Sequence, residues 1–97
     1  MGTYIALYKL TEQGIKNIKE APSRIEEGIK NAEALGAKML GFYTVMGEYD
    51  YVAIVEFPND EAAMVALLAL CAQGNIRTTT LKAFTVEEFG AIVSKLP

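Results

Sequence analysis

The chemistry open to this chain rests on carboxylates, tyrosine hydroxyls and a few cations, because its 97 residues include no histidine and one cysteine, Cys71. Without histidine there is no ordinary general base near neutral pH, no usual ligand for catalytic zinc, and no Ser-His or Cys-His pair. Two acids, Glu48 and Asp50, stand two apart in the run Gly47-Glu48-Tyr49-Asp50. On a regular strand they would share a face and suit paired acid and base roles or a divalent cation. In a hairpin tip, glycine and aspartate answer first to turn geometry, with Asp50 bonding turn amides and Glu48 in solvent, so no metal site is expected. Glu56 is the more telling acid. It falls in phase with Val52 and Ile54 inside an apolar run, where a carboxylate is disfavoured unless paired. Lys9 and Lys82 are its candidate partners, Lys9 the better placed. A strand-end or interface ion pair is the simpler account of Glu56. The chemical account makes it a base with its pKa raised by desolvation, and requires Tyr8, Tyr51 and Lys82 to converge on it.

A second group could bind rather than react. Tyr4, Tyr8, Tyr43, Tyr49 and Tyr51 all lie on or beside apolar runs, where tyrosines either line a pocket for an aromatic or quinone-like ligand or serve as amphipathic core and interface residues. Lys16, Lys19 and Arg24 sit in a locally awkward segment containing Gly14 and Pro22, and could receive a carboxylate or phosphate. No glycine-rich phosphate loop accompanies them, and Glu12, Glu20, Glu26, Glu27 and Glu33 are interspersed, as on a solvated mixed-charge helix face. The candidate ligand-binding residues are therefore Lys16, Lys19, Arg24, Tyr49 and Asp50. Cys71 lies among alanines and leucines and reads as an inert buried thiol.

The elements that must position these residues follow from periodicity. Residues 4–9 are a strand. Thr11-Glu12-Gln13 opens a helical region with Ile15, Ile18, Ile25, Ile29, Ala32 and Leu35 at one-face spacing. Pro22 divides it into a short first helix and a longer one that begins near the proline. Gly36 suits a helix C-terminus. Residues 37–46 and 51–57 are hairpin arms around the 47–50 break. A helix over residues 60–73 is capped by Asn59 or Asp60 and ended by Gly74-Asn75. Residues 76–84 are a fourth strand, and Thr85 with Glu88 forms a capping box for a last helix over 86–95.

The order β-α-β-β-α-β plus a C-terminal helix predicts an α+β, ferredoxin-like antiparallel sheet with both main helices on one face. The other face should then be polar unless covered. Neither parity of the strands is polar: Tyr4, Ala6 and Tyr8 alternate with Ile5, Leu7 and Lys9, and Tyr51, Ala53, Val55 and Phe57 alternate with Val52, Ile54 and Glu56. Two sheets packed face to face would give a dimeric α/β barrel, so a homodimer or larger homo-oligomer through the open sheet face is expected. The 62–72 run is apolar all round and needs a further cover, either the C-terminal helix or another subunit.

Composition bounds the rest. The chain suits one domain spanning residues 1–97. It is 52% hydrophobic and 22% charged, a large apolar share for so small a chain. A net charge of −3 and a pI near 4.9 speak against nucleic acid. The apolar run 62–72 is too short for a bilayer, which needs about twenty residues. The first ten residues read as a strand rather than a leader, and position 6 breaks the myristoylation pattern. A cytoplasmic protein without cofactor is expected, with a small-molecule ligand possible.

The segment Leu10-Thr11-Glu12-Gln13-Gly14-Ile15-Lys16-Asn17-Ile18-Lys19-Glu20-Ala21-Pro22-Ser23-Arg24, then Gly41-Phe42-Tyr43, Gly47-Glu48-Tyr49-Asp50 and Gly74-Asn75-Ile76-Arg77-Thr78, resembles the GYD domain family. The resemblance spans about residues 4–84, with the naming glycine, tyrosine and aspartate at Gly47, Tyr49 and Asp50. It implies a prokaryotic, ferredoxin-like subunit of a dimeric α/β barrel. It brings no active site, because the family has no established biochemical function. The expectation is thus a small-molecule-binding or assembly module, with a cofactor-independent enzyme of monooxygenase-like or isomerase-like type as the alternative.

Overall fold

Strand β1, Gly2–Leu10, is an inner strand of a four-stranded antiparallel sheet in the computed structural model, which describes residues 1–97. The other strands are β2, Lys38–Thr44, β3, Tyr51–Phe57, and β4, Ile76–Ala83, in the order β2-β3-β1-β4. The helices are α1, Glu12–Lys16, α2, Ala21–Ala34, α3, Asp60–Ala72, and α4, Val86–Val93, with a 3-10 turn at Ile18–Glu20 between α1 and α2. This is the expected ferredoxin-like α+β arrangement with its extra C-terminal helix.

Period-two alternation decides which residues go inward. Tyr4, Ala6 and Tyr8 of β1 and Tyr51, Ala53, Val55 and Phe57 of β3 are buried beneath the helices. Ala6 lies opposite Ala53, with Tyr8 opposite Tyr51 at one end and Tyr4 opposite Val55 at the other. α3 packs on the Tyr4 end through Ala63 and Ala66, both buried with Val55 and Phe57, while Ala6 and Ala53 cluster with Tyr8 and Tyr51. At one end, Tyr4 and Phe57 meet edge to face, 5.6 Å between centroids. The opposite parity, Ile5, Leu7, Val52 and Ile54, is half-buried and carries no helix.

Local chemistry ends and joins the elements as their residue types dictate. Asn59 accepts from the Ala62 amide at 2.8 Å to cap α3, and Thr85 with Glu88 completes a reciprocal capping box on α4. Pro22 falls in the first turn of α2, where its missing N–H leaves no helical bond unmade. Gly36 and Gly74 end helices at φ +90° and +84°.

The segment that looks awkward in the sequence is a joint. The Thr11 amide donates to the Asn75 carbonyl at 3.0 Å, and the Thr11 hydroxyl donates to the Gly74 carbonyl. The Gln13 side-chain amide donates to the Gln73 carbonyl and to Asn75 Oδ1. Gly14 makes this possible, because a Cβ there would stand 2.2 Å from the Asn75 carbonyl oxygen. Gly14→Ala tests the joint by its sign. Helix propensity alone would stabilise by up to about 1 kcal/mol, whereas the backbone clash should destabilise by about 1–3 kcal/mol. A lower urea midpoint at unchanged m-value is expected, and a higher one would contradict the joint.

Candidate functional site

Between α2, the end of α3 and the sheet lies a cavity of about 80 Å³, several times the space that one water needs. Tyr8 and Tyr51, 6% and 7% exposed, contribute to its lining. Phe42 stands beside both rings, 6.5 Å from Tyr8 and 5.6 Å from Tyr51 between centroids. Ile25, Ile29, Met39, Leu70 and Ile76 supply apolar lining. Arg24 is the only charged residue there, and Gln73 and Asn75 add polar ends. Neither tyrosine hydroxyl has a protein hydrogen-bond partner, yet neither is sealed away, so both open onto the cavity. Burial, assisted by the neighbouring Cys71, pushes the Tyr8 hydroxyl up to about 12. Burial and then Asp50 raise Tyr51, with Arg24 opposing. Both phenols therefore stay neutral donors through the physiological range.

The Gly47–Asp50 connection is built for attachment. Gly47 takes φ +114° with open space where a Cβ would stand, so its requirement is conformational. The two acids diverge. Glu48 turns out to Lys9 at 3.7 Å, both well exposed, and the Lys9 ammonium lies 5.4 Å from the centre of the Tyr49 ring. Asp50 turns in: its amide donates to the Tyr8 carbonyl at 2.8 Å, and the Leu10 amide donates to its Oδ2 at 2.8 Å. A side-chain oxygen thus continues the β1–β3 ladder after the backbone pairing stops.

The other candidates separate. Glu56 sits on the helix-free face, opposite Thr3 of β1 and Lys38 of β2, while Tyr8 and Tyr51 are under the helices. Lys9, expected to pair with Glu56, is drawn to Glu48 instead, because register places it at the far end of β1 from Thr3. Lys82 is under the helices but at the Tyr4 end, roughly 13 Å along the strand from Tyr8 at the usual rise per residue. Its ammonium donates to Asp60 at 2.9 Å and to the Tyr4 hydroxyl at 3.1 Å. The Tyr4 hydroxyl also donates to Asp60. Its bond and those from Lys82 hold Asp60 below the usual carboxylate range, and Asp60 in turn raises Lys82. Lys16 bridges to Glu12 at 3.9 Å in the open, and Lys19 is exposed. Of the cationic cluster, only Arg24 reaches the cavity, with its guanidinium also paired to Glu20. Sequence reasoning missed Phe42, Gln73, Asn75 and Ile76 as cavity residues. Gly74-Asn75 is legible as a helix stop and as part of the family resemblance, and neither reading places it at a cavity.

Three apolar surfaces stand without cover in the single chain. The open sheet face carries Ile5, Leu7, Val52 and Ile54, extended at its edges by Tyr43 and Leu81. The outer side of α3 shows Met64, Val65 and Leu68. Helix α4 exposes Val86, Phe89, Ile92 and Val93, and with every residue of it exposed it does not cover α3. No helix is long and apolar enough to cross a membrane.

A family model described as GYD domain matches residues 4–93. A Thermus thermophilus protein named "Glutamine synthetase and cystathionine beta-lyase binding protein" is 34% identical over 89 residues, covering 91% of this chain and 94% of that relative.

Two measurements check the site. Asp50→Ala leaves the Leu10 amide without its acceptor and should cost about 1–3 kcal/mol in chemical denaturation; no loss would make the bond incidental. Tyr8 keeps its proton longer in the folded chain, from the ordinary 10.0 to about 12. Its contribution is complete below pH 10 and is lost as pH rises through the folded value, about 2 to 3 kcal/mol in all. Tyr8→Phe should flatten the stability-against-pH curve over that alkaline window; an unchanged curve would show that Tyr8 ionises as freely as in the unfolded chain.

Proposed function

The chain belongs to the GYD domain family, and from that premise we propose that it is a protein-binding module. It self-associates through the open sheet face and docks glutamine synthetase, cystathionine beta-lyase or both, the enzymes in the name of its Thermus relative. The observation that carries this reading is the helix-free face, on which Ile5 and Leu7 stand opposite Ile54 and Val52 in register. A contiguous aliphatic face on a small domain marks an interaction surface. Glu56 with Thr3, and Lys38 beside it, gives that face a polar rim at one end, as interfaces commonly have. The outer side of α3 then remains for a partner enzyme.

The placement of the acids favours binding over turnover. The cavity has no carboxylate in its lining, and Glu56 lies on the other side of the sheet from Tyr8 and Tyr51. No nucleophile and base stand together there.

Light scattering should return a mass of at least two chains of 10.6 kDa, and Ile54→Asp should reduce it to one with its circular dichroism intact. A wild-type monomer would remove the self-association. Biolayer interferometry against purified glutamine synthetase and cystathionine beta-lyase from the same organism should show saturable binding, weakened by Leu68→Asp on α3. Wild-type chain that binds neither enzyme would overturn the docking reading.

A further inference from the structure

The cavity beneath α2 has properties that a protein-docking role does not use. Two tyrosines more than nine-tenths buried present hydroxyls to it, and no protein group satisfies them. Neither oxygen is itself sealed from solvent, so each can exchange water for an acceptor on a ligand, and a cavity that gathers two such donors is suited to a molecule that accepts from both. Most of the remaining wall is aliphatic or aromatic, which is the usual make-up of a small-molecule site with a few orienting polar groups.

Charge narrows the ligand. The lining holds one cation and no anion. Arg24 is partly buried, its side chain 28% exposed, while its partner Glu20 is 67% exposed. Glu20 is thus the freer member of that pair and can be displaced into solvent. Arg24 acts electrostatically on the Tyr51 hydroxyl, as does Asp50 more strongly, but Asp50 is outside the lining and its carboxylate is bonded to the Leu10 amide. A guanidinium beside neutral phenol donors is a receptor for a planar carboxylate.

We propose that this cavity binds a small monocarboxylate with an apolar body, its carboxylate held by Arg24 and the Tyr51 hydroxyl, with Tyr8 as a further donor. The body, a short branched chain or a single ring, lies against Phe42, Ile25 and Ile29. The site is on the helix side of the sheet and holds whether or not the open face associates.

The probes are benzoate and its neutral isostere benzamide, titrated into the full chain and followed by amide chemical shifts in two-dimensional NMR. Benzoate should shift amides of residues 24–29 and 70–76 saturably, and bind at least about tenfold more tightly than benzamide, since the ionised acceptor makes the stronger bonds. Arg24→Gln should abolish that preference. Tyr51→Phe removes only an unpartnered hydroxyl, so the native spectrum should persist while benzoate weakens about tenfold. No saturable shift at millimolar benzoate would overturn the site. Equal binding of the two probes, or an unchanged preference in Arg24→Gln, would overturn the carboxylate assignment. Loss of enzyme docking with benzoate binding intact would instead fail the protein-binding reading and leave this one standing.

Discussion

Ala6 against Ala53 is the contact on which the rest of this structure depends. β1 and β3 meet there at the centre of the buried face, with the smallest side chains that still pack, and rings stand at either end. A sheet shaped in this way cannot be sealed evenly by two helices. α3 closes on the Tyr4 and Phe57 end through its own alanines. At the other end, Tyr8, Phe42 and Tyr51 face α2 across Ile25 and Gly28, and space is left. Gly28 lets α2 come close to α3 beside that space: a Cβ there would stand 3.1 Å from Leu70. The cavity is therefore a product of side-chain sizes along two strands, placed before any functional residue is considered.

Most of the fold is legible in the chain because its signals are local. Alternation marks the strands, Pro22 divides the first helical region, and Asn59, Thr85, Gly36 and Gly74 mark ends that the structure places within a residue or two. The open face is legible too, since both parities of β1 and β3 are apolar and helices can cover only one. What is not legible depends on register. Glu56 and Lys9 look like partners by strand order, but antiparallel pairing sets Glu56 opposite Thr3 and leaves Lys9 at the hairpin tip. The cavity wall draws on residues from 8 to 76, and no spacing within the sequence announces such a set. Of the basic cluster, only Arg24 is turned inward by its place on α2, which a mixed-charge helix pattern does not reveal.

The residues that carry the resemblance to the GYD family prove to be joints. Thr11, Gln13 and Gly14 fasten onto the 73–75 turn, and Asp50 fastens the hairpin onto the end of β1. These attachments bring segments distant in the chain to the edge of one cavity, where Asn75 and Tyr51 both stand. Among the same motif residues, Arg24 and Phe42 line the cavity itself.

The strand order β2-β3-β1-β4 has a consequence for how the chain is made. Its only hairpin between sequence neighbours is β2 with β3, whereas β1 lies between two strands that follow it by more than forty residues. During synthesis the first strand emerges with Tyr4, Ile5, Leu7 and Tyr8 and has nothing to pair with. It waits for β3, and its second edge stays open until residue 83 has left the ribosome. Neither half of the chain contains two adjacent strands, so neither can form sheet alone. Folding of this domain is accordingly a late, nearly all-at-once event, slowed by its non-local contacts. In that interval an apolar strand with two free edges is open to pairing with the wrong chain.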